Sequence, residues 1–191
     1  MMLALSAVGA QTPTPRDSLV VTTSWLAAHR TDPTVVVIEV VDAPGKRTDR
    51  IPGSRELFYR HMAIARDSLS TELPSPDSLE SLFESLGISD DSHVVVYARE
   101  APMATRVLMT LTYLGHDRVS YLDGGLPAWI AGNHPVAQTD AGPVRRGTLT
   151  ARPRPEMIVN ADWITARLGA PTLRLIDTRT LGEYNGTGNR S

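Results

Sequence analysis

The sequence predicts an α/β fold in which a central parallel sheet is flanked by helices. Three observations predict it. The runs Val35–Val41, Val94–Tyr97 and Val119–Leu122 are rich in β-branched residues and lack clean alternation, as expected of strands covered on both faces. Segments with helical punctuation separate these runs. The segment opening after Pro76 carries Leu79, Leu82, Phe83 and Leu86, an apolar stripe at helical spacing.

From the amino terminus, residues 1–10 (MMLALSAVGA) form a short apolar run that ends in small residues. Val8 and Ala10 fit the small-residue rule for signal cleavage, which would free Gln11. The run lacks a basic leader and is far too short to cross a bilayer as a helix; a start codon assigned too late explains its defects as a signal. We expect residues 1–17 to be signal-like or disordered, and the protein to be exported to the periplasm or secreted. The cytoplasmic alternative treats the segment as a frayed terminus. A helix over Ser24–Ala28 follows, with Ser24 as cap, then the strand Val35–Val41. Asp77–Leu86 is the next helix, Val94–Tyr97 the central strand, and Ala104–Leu114 a helix ended by Gly115. Val119–Leu122 leads through Asp123-Gly124-Gly125, whose glycines permit positive φ, into Pro127–Ala131, ended by Gly132. Residues 18–136 thus make one complete domain. Residues 137–154 are polar, Pro-rich and Arg-bearing, a linker long enough to run as an extended strap over that domain.

Composition narrows the chemistry. The 191 residues hold 19 basic and 21 acidic side chains, a net charge of −2 without basic runs, which argues against a general nucleic-acid or anionic-membrane binder. The absence of cysteine excludes disulfides, thiolate metal sites and a Cys nucleophile in this polypeptide. The five histidines show no zinc-helix spacing, and neither a P-loop nor a G-x-S-x-G elbow is present, so no metal or cofactor is expected.

Residues 20–39 align without a gap on residues 158–177, an offset of 138 at which six of twenty positions are identical, including Trp25/Trp163 and Pro33/Pro171. Each copy reads as a strand entry, a cap (Ser24, Asp162), a short helix, a Pro-marked turn and a buried strand ending in a carboxylate. The three tryptophans, Trp25, Trp129 and Trp163, read as core anchors. A period this long indicates tandem domains rather than a solenoid. Residues 155–191 are therefore expected to be the first helix and strand of an incomplete second copy. Those elements leave their apolar faces uncovered.

Several phrases carry a resemblance in order along the chain: Arg50-Ile51-Pro52-Gly53-Ser54, Leu86-Gly87-Ile88 before Val94–Tyr97, Tyr113-Leu114-Gly115-His116, Asp123-Gly124-Gly125-Leu126-Pro127-Ala128-Trp129, and Asp177-Thr178-Arg179 with Glu183-Tyr184 and Gly186. Together they resemble the tandem-domain rhodanese-like sulfurtransferases of the thiosulfate and 3-mercaptopyruvate type. The resemblance implies transfer of sulfane sulfur from a small donor to cyanide or a thiol. The carrier would be a Cys persulfide held in a strand-to-helix loop whose backbone N–H groups and helix N-terminus stabilise the anion. No nucleic-acid partner and no membrane span are expected, and the first domain is expected to pack on the rest of the second.

Matched residue by residue, the loop of the first copy is Tyr97–Arg106, and Ala98 occupies the position of the Cys. Alanine supplies no nucleophile and Pro102 removes an N–H donor. The first copy is therefore expected to be inert, and no catalytic residue is expected in this chain. Counting from Glu39 to Tyr97 places the second copy's loop near residue 235, about 58 residues after Asp177. Candidate substrate-binding residues are Arg190, Arg99, and, in a supporting role, Asp177 and Arg179. A structural Asp177–Arg179 pair and a solvated Arg190 are the simpler readings. Arg106 is expected to pack against the sheet edge or a carboxylate, and His116 to sit favourably at a helix end. Glu183 stands where animal thiosulfate enzymes often carry Arg, so the resemblance transfers no thiosulfate contact to that position.

Overall fold

The computed structural model describes residues 19–43, 49–66, 69–139 and 141–187; the signal-like segment and Arg190 lie outside them. The chain divides into two units, one ending at Arg154 and one beginning at Pro155.

The first unit is built on a five-stranded parallel sheet in the order β1-β7-β6-β2-β3. Its strands are β1 (Val20–Val21), β2 (Val35–Val41), β3 (Arg55–Phe58), β6 (His93–Ala98) and β7 (Val119–Leu122). A separate antiparallel pair, β4 (Ile64–Arg66) and β5 (Leu69–Glu72), follows a 3-10 turn at Tyr59–Met62. Helices α1 (Thr23–His29), α2 (Pro76–Ser85), α3 (Ala101–Tyr113) and α4 (Gly125–Ala131) complete the unit. The expected strands 35–41 and 119–122 have those bounds, and the central strand is one residue longer at each end. The edge strand β3, Arg-Glu-Leu-Phe, was not expected, being half charged, whereas β1 is the strand entry read at the start of the first copy, two residues long.

Strand side chains point alternately to opposite faces, and the core divides accordingly. Val36, Ile38, Val40, Val94, Val96 and Ala98 pack with Leu79 and Phe83 of α2 and Val107 and Leu111 of α3. On the other face Val37, Val95 and Tyr97 pack with Leu26 of α1 and Trp129 of α4. Each face carries enough apolar surface that truncating one fully buried Leu or Phe costs about 2–5 kcal/mol.

Helix ends correct several expected boundaries. Thr22, not Ser24, caps α1, accepting from Trp25 N–H at 3.1 Å. At the end of α3, Gly115 adopts φ +84°, His116 N–H donates to Leu111 O and Gly115 N–H to Thr112 O, both at 2.9 Å, a Schellman arrangement. His116 is buried there, and burial holds its pKa below the ordinary value. It therefore serves the helix end as a neutral ring rather than as the favourable charge expected.

After α4 the chain forms an antiparallel bridge between Ala137 and Arg50 and then runs as an extended strap over α2 and α3. Backbone pairs join Gly147 N–H to Glu84 O (2.8 Å) and Arg152 N–H to Leu114 O (2.8 Å). Carboxylates take three more: Glu84 from Leu149 N–H (3.1 Å), Asp90 from Thr150 N–H (2.7 Å) and Glu80 from Ala151 N–H (2.7 Å). Asp117 grips Arg154 with two bonds of 2.7 and 2.6 Å. The segment read as a polar linker also contributes to the core, since Leu149 is 4% exposed among α2 and α3 side chains.

The second unit has a 3-10 turn at Pro155–Met157 and two short helices, α5 (Ala161–Thr165) and α6 (Leu181–Tyr184). Asn160, rather than Asp162, caps α5 through Trp163 N–H (2.9 Å), 138 positions after the Thr22 cap. The expected buried strand ending at Asp177 is absent among the described residues of this unit. Ile38 is fully buried whereas its sequence match Ile176 is 83% exposed, since no described strand offers a partner for the ladder. Trp129 is fully buried, but Trp163 is 40% exposed with Arg167 over its ring at 4.1 Å, so it is not a core anchor.

Candidate functional site

In open parallel sheets ligands bind beyond the carboxyl ends of the strands. Here that edge is formed by β2 and β6, paired through Val40 and Ala98. The connection from β6 to α3 has two residues, Arg99 and Glu100, not the ten expected over Tyr97–Arg106. Strand and helix propagate to within those two residues because Val94, Val96 and Ala98 and the α3 stripe bury apolar surface on the same face. Pro102 lies in the first turn of α3, where a missing N–H interrupts no helical bond.

A cleft of about 100 Å³ opens at this edge, lined by Val40, Asp42, Arg99, Glu100 and Met103. Arg99 therefore sits at the site, joined by two residues that sequence reasoning missed, Asp42 and Met103. Asp42 was detectable, being the first residue past β2. Ala98 faces the core, 6% exposed beside Val96 and Ala104, and presents only a methyl group. The cleft can hold a small polar group through one guanidinium and the N-terminal end of α3. Among the described residues it contains no thiol or hydroxyl nucleophile and no metal-binding cluster.

Behind the cleft lies a buried polar network on the α1/α4 face. Arg50, 5% exposed, reaches Glu39 (3.8 Å) and Glu56 (3.1 Å). Ile51 N–H donates to Tyr97 Oη (3.2 Å), and the Tyr97 hydroxyl donates to Ser54 Oγ (3.1 Å). Burial, assisted by the Glu39 charge, pushes the Tyr97 phenol up to about 12. Arg106 is structural: it donates to Met62 O (3.2 Å) and Thr71 O (2.6 Å) and lies over the Tyr59 ring.

In the second unit, Asp177 and Arg179 chelate one another. Arg179 Nη2 is 2.5 Å from Asp177 Oδ2, and its backbone N–H donates to Oδ1 at 3.0 Å. Those bonds hold the Asp177 carboxyl down at about 2. The pair closes a turn and does not lie at a strand end, since no strand is present there. Glu183 forms a capping box with Thr180, which occupies its carboxylate locally (2.9 Å from Thr180 N–H).

Residues 22–132 match the family of the rhodanese-like domain. The chain is 32% identical over 170 residues to the thiosulfate sulfurtransferase of Pseudomonas aeruginosa, covering 88% of this chain and 62% of that protein. The thiosulfate sulfurtransferase of Bos taurus is 31% identical over 189 residues, covering 87% of this chain and 61% of that protein. Among solved structures, SseA from Escherichia coli, described as a 3-mercaptopyruvate sulfotransferase with the rhodanese fold, superposes with a TM-score of 0.77 at 26% identity, covering 88% of this chain and 68% of that one. The chain thus spans a little under two thirds of the length of the curated relatives it matches.

Proposed function

Because the chain belongs to the rhodanese-like domain family, we propose that it is the first domain and the opening of the second domain of a two-domain sulfurtransferase. Residues 18–136 are the non-catalytic copy, and the working Cys lies in a second copy, near residue 235 of the longer protein. There its thiolate attacks the outer sulfur of a donor such as thiosulfate. A Cys–S bond forms, the donor's S–S bond breaks and sulfite leaves. Cyanide or a thiol then takes the persulfide sulfur and the thiolate returns. The observation that carries this reading is Ala98, a methyl group at the end of the central strand of a family member that contains no cysteine.

A second reading, a rhodanese-like module that binds or regulates without catalysis, is favoured by the same methyl group. Thiocyanate formation from thiosulfate and cyanide separates the two. The longer protein should turn over, and replacement of the Cys near residue 235 should abolish it; residues 1–191 alone should give the blank rate. A longer protein without activity, or without that Cys, leaves the binding module as the answer. Export belongs to this proposal too, and is tested by whether the mature protein begins at Gln11.

A further inference from the structure

At the amino-terminal ends of β3 and β6, opposite the Arg99–Glu100 connection, the strap crosses the first unit above a cleft of about 370 Å³. This volume lies within the range of about 300–1,000 Å³ typical of small-molecule sites. Three arginines line it, Arg55, Arg145 and Arg146, and among the described residues no carboxylate does. Arg146 is neutralised from outside by Glu84 at 2.7 Å. Arg55 donates to the Leu86 carbonyl, and burial lowers its pKa, the mark of a cation that lacks a compensating anion. The exposed Arg145 has no side-chain partner among the described residues.

The remaining lining is built for close approach of a polar group. Gly87 has φ +72°, and a Cβ there would stand 2.5 Å from Arg55 Nη1 and 2.8 Å from the Arg145 carbonyl. A Cβ on Gly147 would meet the Ile88 carbonyl at 2.0 Å. Only glycines let the strap and the guanidinium come this near. Ser89 Oγ accepts from Thr148 N–H at 3.0 Å, which leaves its own O–H as a donor toward the cleft.

We propose that this cleft binds a small polyanion bearing tetrahedral oxyanion groups, of the size and charge of pyrophosphate. Guanidinium forks match such oxygens in planar, two-point contacts, and Arg55 and Arg145 stand ready from the body and the strap. A ligand held by both would fasten the strap to the sheet edge. The inference is independent of the sulfur-transfer reading, which concerns the other end of the strands.

The test is titration calorimetry on the 191-residue chain at constant ionic strength with inorganic pyrophosphate, sulfate and thiosulfate in separate arms. Pyrophosphate should bind saturably below about 1 mM, at least tenfold tighter than either single-tetrahedron ion. Arg145→Glu should weaken it at least tenfold, whereas Arg152→Glu, the same charge change outside the cleft, should leave it within twofold. Trypsin cleavage after Arg145 and Arg146 should slow at least threefold with pyrophosphate bound. The proposal is overturned by no saturable binding at 10 mM, by equal affinity for sulfate or thiosulfate, by equal losses in the two variants, or by unprotected cleavage.

Discussion

Replacing Tyr97 with Phe removes one oxygen from the buried network without changing the ring's shape. The oxygen accepts from Ile51 N–H and donates to Ser54 Oγ, at 3.2 and 3.1 Å, and Tyr97, Ile51 and Ser54 are each at most 1% exposed. Water cannot replace the lost partner, so the Ile51 N–H stays buried and unsatisfied. Leaving such a group unmade costs about 1–3 kcal/mol, and the lost Ser54 bond adds about 1 kcal/mol. We expect a loss of about 2–4 kcal/mol. With a urea slope of about 2 kcal/mol per M the midpoint falls by about 1–2 M at unchanged slope. Ser54→Ala should be partly redundant with Tyr97→Phe in a double-mutant cycle. A difference titration of phenol absorbance between wild type and variant should place the missing ionisation near pH 12. Because that value is raised from the ordinary 10.0, the stabilisation is complete below about pH 10 and is lost as pH rises through about 12. A loss under 0.5 kcal/mol, strict additivity with Ser54→Ala, or ionisation near pH 10 would refute the network.

Leu149→Ala should destabilise the first unit by about 2–3 kcal/mol, read by urea denaturation, because a strap residue fills the core; a surface-like effect under 0.5 kcal/mol would return the strap to a mere covering. Ala98→Cys should restore no thiocyanate formation and should react slowly with a disulfide reagent, since its Cβ faces the core rather than the cleft; turnover in this variant would overturn that orientation. Burial, reinforced for His93 by Arg118, holds His93 and His116 below the ordinary 6.5. Their stabilisation is present above pH 6.5 and is lost as pH falls through their lowered values. The melting temperature should therefore drop between pH 7 and pH 5, and a flat profile would exclude the two rings as the cause.

What the sequence made legible follows how local each signal was. Val35–Val41 and Val119–Leu122 announce themselves because buried parallel strands concentrate β-branched residues. Arg55–Phe58 did not, because an edge strand with charges at two of four positions looks like a loop until its neighbour is known. The reverse error occurred at Leu173–Asp177, where a strand-like phrase lies exposed for want of a partner. At the site, Ala98 was found by matching its loop residue by residue to the resembled family. The partnership of Glu39 with Arg50 was not, because Glu39 alone reads only as the carboxylate that ends a buried strand. The arginine cleft was invisible for a related reason. Arg55 and Arg145 are ninety positions apart, and only the path of the strap brings both to one opening.

The odd–even division of the sheet has a consequence for how the chain finds its pairing. Glu39 lies opposite Tyr97, and both face the α1/α4 layer, where Arg50 and Ser54 receive them. If β2 slid by one residue against its neighbours, Glu39 would turn toward Leu79 and Phe83, where no cation waits, a loss of about 3–5 kcal/mol for a buried charge stripped of its partner. Runs such as Val-Val-Val-Ile and Val-Val-Val-Tyr, which taken alone could zip in several alignments, thereby carry a built-in error check. The valines supply adhesion in any register, and one carboxylate makes a single register acceptable.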